Sequence, residues 1–198
     1  MRETLGYNKN HKDREVDDFY ATPPNEVANI LSHEDLVGTV LEPCCGMGHM
    51  VDGIRLCNKY LYANIIATDL VYREFGEGEL DFLDEAYPYK DNIGTIIMNP
   101  PFKLIEEFVN KSIEVAKHKV ILFARNQFVE SESRYKNIFS KTPPSRIYQY
   151  VDRVACAKGG DFSRKMSSNM AFSWFVWDKD SEISKTEFKW IRRVDKKS

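Results

Sequence analysis

Between residues 39 and 139, short apolar runs alternate with segments of helical period, and no other feature narrows the possible folds of this chain so far. The runs at 39–41, 64–69, 80–83, 94–98 and 120–124 read as strands. Among them, Val51, Ile54, Cys57 and Leu61 mark one buried helix face, and Leu104, Ile105, Phe108, Val109, Ile113 and Ala116 mark another. Residues 131–139 predict a short helix, stopped by Pro143 and Pro144. Such alternation predicts a parallel sheet covered by helices on both faces. Upstream, Thr22-Pro23-Pro24 reads as a helix start, with Thr22 as the cap and proline in the first turn, where its missing N–H costs nothing. Val27, Ile30 and Leu31 continue that helix. The segments 147–155 and 170–177 are strands with no helix between them, so they are expected to pair antiparallel at an edge. The expected architecture is a single-domain, doubly wound α/β sheet, mostly parallel with an antiparallel edge strand.

The chain has 198 residues, enough for one domain with one sizeable core. At 42% hydrophobic and 29% charged, its composition is neither disordered nor collagenous. No apolar run approaches the ~20 residues needed to span a bilayer. The N-terminal stretch to Tyr20 is too polar for a secretory signal, so a cytoplasmic protein with no membrane partner is expected. Cys44, Cys45, Cys57 and Cys156 lack zinc spacing and read as reduced thiols in a packed interior. His11, His33, His49 and His118 are scattered, so no metal is expected. Charge is distributed unevenly. Residues 1–99 carry 8 Lys/Arg against 18 Asp/Glu, a net of −10, while residues 100–198 carry 20 against 12, a net of +8. A basic half of this kind can face a polyanion, or folding can mix the two halves so that no patch survives. Residues 1–17 read as an arm, 18–180 as the domain and 181–198 as a basic tail.

Two segments at expected strand ends, where open α/β sheets bind ligands, carry the chemistry. The first is Glu42-Pro43-Cys44-Cys45-Gly46-Met47-Gly48, between a strand and a helix. Glycine lets the backbone turn sharply and lets a ligand approach without a Cβ in the way. Asp69 ends the next strand, where a carboxylate can accept from both ribose hydroxyls, and Leu70 follows it. Asp81-Phe82 can hold an adenine, the carboxylate taking the exocyclic amine and the ring packing on its face. A dinucleotide loop needs a third glycine, but Val51 stands there, and Glu42 would repel a pyrophosphate. A nucleoside carrying an amino acid has no phosphate, and its ammonium suits Glu42. The loop therefore favours S-adenosylmethionine over NAD.

The second segment is Asn99-Pro100-Pro101-Phe102. Two prolines fix φ near −65° and remove two N–H donors, and the residues before them are pushed to extended conformations. The result is a stiff elbow with outward carbonyls, suited to a planar amine. The Asn99 side-chain oxygen and the Pro100 carbonyl can accept from an exocyclic NH₂, and Phe102 can stack on the base. An ordinary Pro-Pro turn is the alternative, since Pro23-Pro24 and Pro143-Pro144 occur elsewhere in the chain.

Together these residues resemble the Rossmann-like class I methyltransferases that methylate amines with S-adenosylmethionine, and more narrowly the phage- and prophage-type DNA N6-adenine methyltransferases. The resemblance runs from Asp18-Phe19-Tyr20-Ala21-Thr22-Pro23-Pro24 to the strand near Trp177. It implies a role for Tyr20, Thr22 and Pro23 over the methionine end of the cofactor. It also implies cofactor contacts at Glu42, Cys44, Gly46 and Gly48, with Asp69 on the ribose, Asp81 on the adenine, and catalysis by Asn99, Pro100, Pro101 and Phe102. Cys44-Cys45 is an unusual filling of the loop and reads as packing. The stretch after Trp177 is too short for a target-recognition domain, so specificity is expected to come from loops or a partner, or to be low. The same tetrad serves RNA adenine methyltransferases, and a variant of it serves glutamine methylation on proteins. An inactive nucleic-acid-binding module of the same fold is a third rival, against which the intact tetrad speaks.

Basic residues complete the expected substrate surface. Arg125 and Asn126 end a strand on the side of the site, and Lys158, Arg164 and Lys165 lie in a polar loop, all able to contact phosphates. The partner expected is nucleic acid, DNA ahead of RNA. Phe188 and Trp190 in the tail either help grip nucleic acid or dock the tail on the body. Gly159-Gly160-Asp161-Phe162 resembles the signature of cyclic-dinucleotide synthases but lacks that family's surroundings, and it reads as chance.

Overall fold

The strand runs of the sequence become one central sheet in a computed structural model that describes residues 20–163, 170–182 and 185–194. The expected arm 1–17, with Asp18 and Phe19, and the loop residues Arg164 and Lys165 lie outside the described residues. The described chain begins with β1 (Tyr20–Ala21) and α1 (Pro24–Ile30). Then come β2 (Thr39–Glu42), α2 (His49–Arg55), β3 (Ile65–Ala67) and β4 (Ile93–Met98). Next are α3 (Ile105–Val115), β5 (Lys119–Arg125) and a short α4 (Glu132–Arg134), which runs into a wider turn to Phe139. β6 (Arg146–Tyr150), β7 (Ala157–Lys158), β8 (Phe172–Asp178) and β9 (Glu187–Ile191) follow. Seven strands take the order β3-β2-β4-β5-β8-β6-β9. β3, β2, β4 and β5 are parallel, and β8 runs antiparallel to both β5 and β6.

Residue alternation divides the core between the two sheet faces. Ile97, Ile121, Phe123, Trp174 and Tyr148 face one way, against Val27, Ile30, Met50 and Ile54 of α1 and α2. Ile96, Met98, Val120, Leu122 and Phe175 face the other way, against Ile105, Phe108 and Val109 of α3. Helices α1 and α2 meet closely because Gly53 has no side chain: a Cβ there would lie 2.5 Å from the Pro24 carbonyl oxygen. Among the described residues, no helix is long and apolar enough to cross a membrane.

Several expectations need correction. Residues 80–83 form no strand. Glu74 and Glu79 take positive φ, and Asp81 Oδ1 accepts the Leu83 N–H at 2.8 Å, so the chain turns where it would have to extend. Apart from its pairing with β2, β3 is extended among the described residues by a single parallel bridge, Thr68 to Glu77. Thr22 does not cap α1: Pro23 holds the cap position, with no side-chain bond to the helix. Helix α2 ends at Arg55, short of Leu61, and β6 ends at Tyr150, short of residue 155. The segment read as a tail contributes β9, paired parallel to β6.

A buried charge cluster ties the turn after α1 to the sheet. Glu34 accepts from Arg146 Nη2 and Lys119 Nζ at 2.8 Å each, from Tyr148 Oη at 2.8 Å, and from Arg146 Nε. Asp178 completes the cluster through Arg146. Burial alone would push the Glu34 carboxyl up, but the bonds from Arg146 and Lys119 outweigh it and hold the carboxyl below the ordinary value. Glu34→Ala is expected to cost about 3–5 kcal/mol, because it leaves buried cations short of a partner. In urea denaturation, the gap between parent and variant is full above pH 4.5, the unfolded value, and closes as pH falls through the lowered folded value. A gap that widens in acid would contradict this.

Candidate active site

The carboxyl ends of β2, β3 and β4 converge on one acidic floor. Glycine permits the turn after β2: Gly46 and Gly48 take φ of 55° and 84°. At Gly48 a Cβ would also meet the Phe75 ring at 2.6 Å, so the bare Cα is required twice over. Asp69 pins this turn, its Oδ2 accepting the Gly46 N–H at 2.8 Å. Its Oδ1 accepts the Val71 N–H at 2.8 Å and a bond from Arg73 at 3.0 Å. The Cys45 N–H donates to the Thr68 carbonyl at 2.9 Å and draws the β2 and β3 loops together.

Glu42 lies beneath this turn and is 3% exposed. Its Oε2 has no hydrogen-bond partner among the described residues. Burial, and then the charges of Asp69 and Asp52, push its carboxyl well above the ordinary value. A buried acceptor without a donor costs about 1–3 kcal/mol and marks a place where a cation fits. Cys44 and Cys45 share this environment. Burial and the neighbouring carboxylates raise the Cys44 thiol well above its ordinary value and push Cys45 up to about 12. Both therefore stay protonated thiols rather than nucleophilic thiolates.

The elbow after β4 is fixed through Asn99. Its Nδ2 donates to the Tyr20 carbonyl at 2.8 Å and to Thr22 Oγ1 at 3.0 Å. A carbonyl only accepts, so the amide nitrogen must face it, and Oδ1 is left pointing elsewhere. Pairing of β1 with β7, Tyr20 opposite Lys158, holds that acceptor segment in place. Phe102 lies 6.0 Å from Tyr20, and the Arg125 guanidinium sits 3.7 Å above the Phe102 ring centre. Arg125 Nε is buried without a hydrogen-bond partner among the described residues.

Tyr20, Thr22, Asn99, Phe102 and Arg125 are thus brought together, and so are Glu42, Cys44, Gly46 and Asp69. Asn126 is engaged elsewhere, with Gln149 and Ser173. Lys158 is exposed at the end of β7. The Phe82 ring faces the core. It is 1% exposed and packs on Tyr87 and Phe108, so its ring has no surface for an adenine, and the expectation of one is corrected. Arg73, the counter-ion of Asp69, gives no sign in the sequence, because its spacing in a loop carries no pattern. Residues 159–162, which read as a chance match, also pack in this structure. There Gly159 and Gly160, at φ of 67° and 77°, turn the chain so that Phe162 meets His49 edge-on at 5.1 Å.

No protein-family model and no curated protein matches the sequence. Solved structures do match the fold. A Listeria monocytogenes protein described as a class I S-adenosylmethionine-dependent methyltransferase aligns with a TM-score of 0.61 at 13% identity, over 96% of this chain and 68% of its own. A Vibrio vulnificus protein described as a modification subunit of a type I restriction enzyme aligns at 0.57 and 14%, over 91% of this chain and 48% of its own. A Pyrococcus horikoshii protein described as an RNA methyltransferase aligns at 0.57 and 12%, over 90% and 93%. This chain thus spans about half the length of the restriction-system protein. The fold is that of the class I methyltransferases.

The orphaned carboxylate gives a direct test of the floor. Glu42→Gln is expected to raise the thermal midpoint of the ligand-free protein at pH 7 by about 2–4 °C, the effect of about 1 kcal/mol in a domain this size. The raised acid destabilises the fold as pH climbs above 4.5, the unfolded value, so the gain shrinks as pH is lowered toward it. A lower midpoint for the variant at pH 7 would contradict the assignment.

Proposed function

We propose that this chain transfers a methyl group from S-adenosylmethionine to the exocyclic N6 of adenine in DNA. The observation that carries the reading is the orientation of Asn99, its amide nitrogen committed inward and its oxygen left as an acceptor at the strand end. The unpartnered Glu42 carboxylate supports the cofactor, because it matches an ammonium group. Gly46, Gly48 and Asp69 would hold the cofactor with it, Asp81 would take its adenine amine, and Tyr20, Thr22, Pro23, Cys44 and Leu70 would line the same space. When bound, S-adenosylmethionine supplies an electrophilic methyl group on a sulfonium sulfur.

The remaining work falls to the chain's own residues. Adenine's exocyclic nitrogen is a weak nucleophile, since its lone pair is delocalised into the ring. Asn99 Oδ1 and the Pro100 carbonyl accept its two N–H bonds, which turns the nitrogen toward tetrahedral geometry and frees the lone pair. The same acceptors stabilise the positive charge that develops on nitrogen, and once it carries the methyl group that nitrogen gives up one of its two protons to solvent. Pro101 keeps the elbow stiff. Phe102, backed by Arg125, offers a flat surface to the base. A base inside a duplex cannot reach the elbow, so it is flipped or already unpaired. Arg125 and Lys158 would meet phosphates.

The Vibrio vulnificus neighbour, described as a modification subunit of a restriction enzyme, supports a DNA target and a partner that supplies specificity. The Pyrococcus horikoshii neighbour, described as an RNA methyltransferase, makes adenine in RNA the second reading, with the same residues in the same roles. Asn99→Ala is expected to lower turnover by about 100-fold or more. Cofactor affinity, measured by calorimetry, is expected to stay within about twofold. Full activity in that variant would overturn the mechanism.

A further inference from the structure

The outermost strand carries two aromatic side chains that the core does not use. Phe188 and Trp190 are 52% and 69% exposed and meet edge to face, with ring centres 5.0 Å apart. Trp174 and Trp177 are buried. Large rings left in water on an edge strand mark an interaction surface. Lys185 and Arg192 flank the pair on the strand, and Arg193 follows beside Asp152 and Glu26, whereas Lys189 alternates to the other face, where it pairs with Glu187 and lies over Tyr148. Arg192 and Arg193 are exposed, and the Arg193 guanidinium reaches the Arg153 carbonyl at 3.2 Å. Arg153 is itself exposed, with Asp152 beside it.

Topology brings this strand end to the Asn99 end of the sheet. β9 is parallel to β6, β6 is antiparallel to β8, and β8 is antiparallel to β5. β9 therefore finishes where β4 and β5 finish. The register leads from Ala124 to Ser173, then Gln149, then Trp190. Asn126, Ser173 and Gln149 hydrogen-bond to one another along this row. Four strand spacings separate β4 from β9, about 19 Å.

We propose that Phe188, Trp190, Arg192 and Arg193 form a second contact for the substrate, an unpaired stretch of DNA that crosses the sheet end from the Asn99 elbow. The rings stack on bases and the arginines meet phosphates. Every base has a π-face, so the contact tolerates any sequence. It anchors the strand several nucleotides from the target base. An apolar protein surface would fit the rings but not their basic frame. This inference rests on the reading of a nucleic-acid substrate given above.

Trp190 is its own reporter. The full chain is titrated with a mixed-sequence DNA single strand of about 20 nucleotides, following tryptophan emission and strand anisotropy. The emission is expected to be quenched in the parent and unquenched in Trp190→Phe. Affinity should fall about 5- to 100-fold in Trp190→Ala. Replacing both arginines with alanine should lower the slope of log affinity against log salt by about 1.4. Tyr62→Ala removes a side chain 94% exposed near the opposite edge strand and should change neither reading. If the parent binds and methylates the strand while Trp190→Ala binds equally tightly, the second contact is overturned and the proposed function stands. If no methyl transfer occurs but binding still depends on Trp190, the contact stands and the proposed function fails. If Trp190→Ala converts a dimer to a monomer with no change in DNA affinity, the face joins two copies of the chain and the proposal is overturned.

Discussion

Asn99 commits both N–H bonds of its amide to the chain segment in front of α1, and much of the site depends on that arrangement. With the nitrogen tied to the Tyr20 carbonyl and the Thr22 hydroxyl, the amide cannot rotate, and its oxygen becomes a fixed acceptor. Two elements far apart in sequence are needed for this. β4 delivers Asn99 at the carboxyl end of a fully buried strand, and the β1–β7 pair holds the acceptors opposite it. Proline then stiffens the next two residues, so the Pro100 carbonyl is oriented by the backbone rather than by a side chain.

Charge is sorted across the same sheet end. The floor under β2 and β3 is acidic, with Glu42 buried, its Oε2 unpartnered among the described residues, and Asp69 balanced by Arg73. Beyond β5, Arg153, Lys158, Arg192 and Arg193 are exposed, with Asp152 and Glu187 among them. On the proposed function, a cationic nucleoside and a polyanionic strand would meet opposite fields at one elbow. Along the sheet, β2, β3 and β4 come from the first half of the chain and β5, β8, β6 and β9 from the second, while the turn after α1 reaches across through Glu34 to Lys119 and Arg146.

The parts of this arrangement readable from sequence are those where one residue type dictates geometry. Buried parallel strands need unbroken apolar runs, so β2, β4 and β5 stand out. The glycines after β2 and the prolines after β4 announce turns that few other residues allow. Residues 80–83 misled because Leu80, Phe82 and Leu83 look like a strand, while a side-chain bond from Asp81 decides the outcome. Phe82 reads as an adenine contact from its place beside Asp81, but a dipeptide carries no sign of which way its ring points. β1 and β7 are two residues each and have no pattern to detect. β9 looked like a charged tail because its pairing with β6 leaves all but Ile191 exposed.

The central claim is that a fixed amide oxygen serves an adenine amine. The most direct measurement is methyl transfer from labelled S-adenosylmethionine to matched pools of duplex DNA, single-stranded DNA and RNA, with the digested products identified by mass. The account predicts label in DNA, recovered as N6-methyladenine. Label confined to another atom or to protein, or no label despite measured cofactor binding, would contradict it.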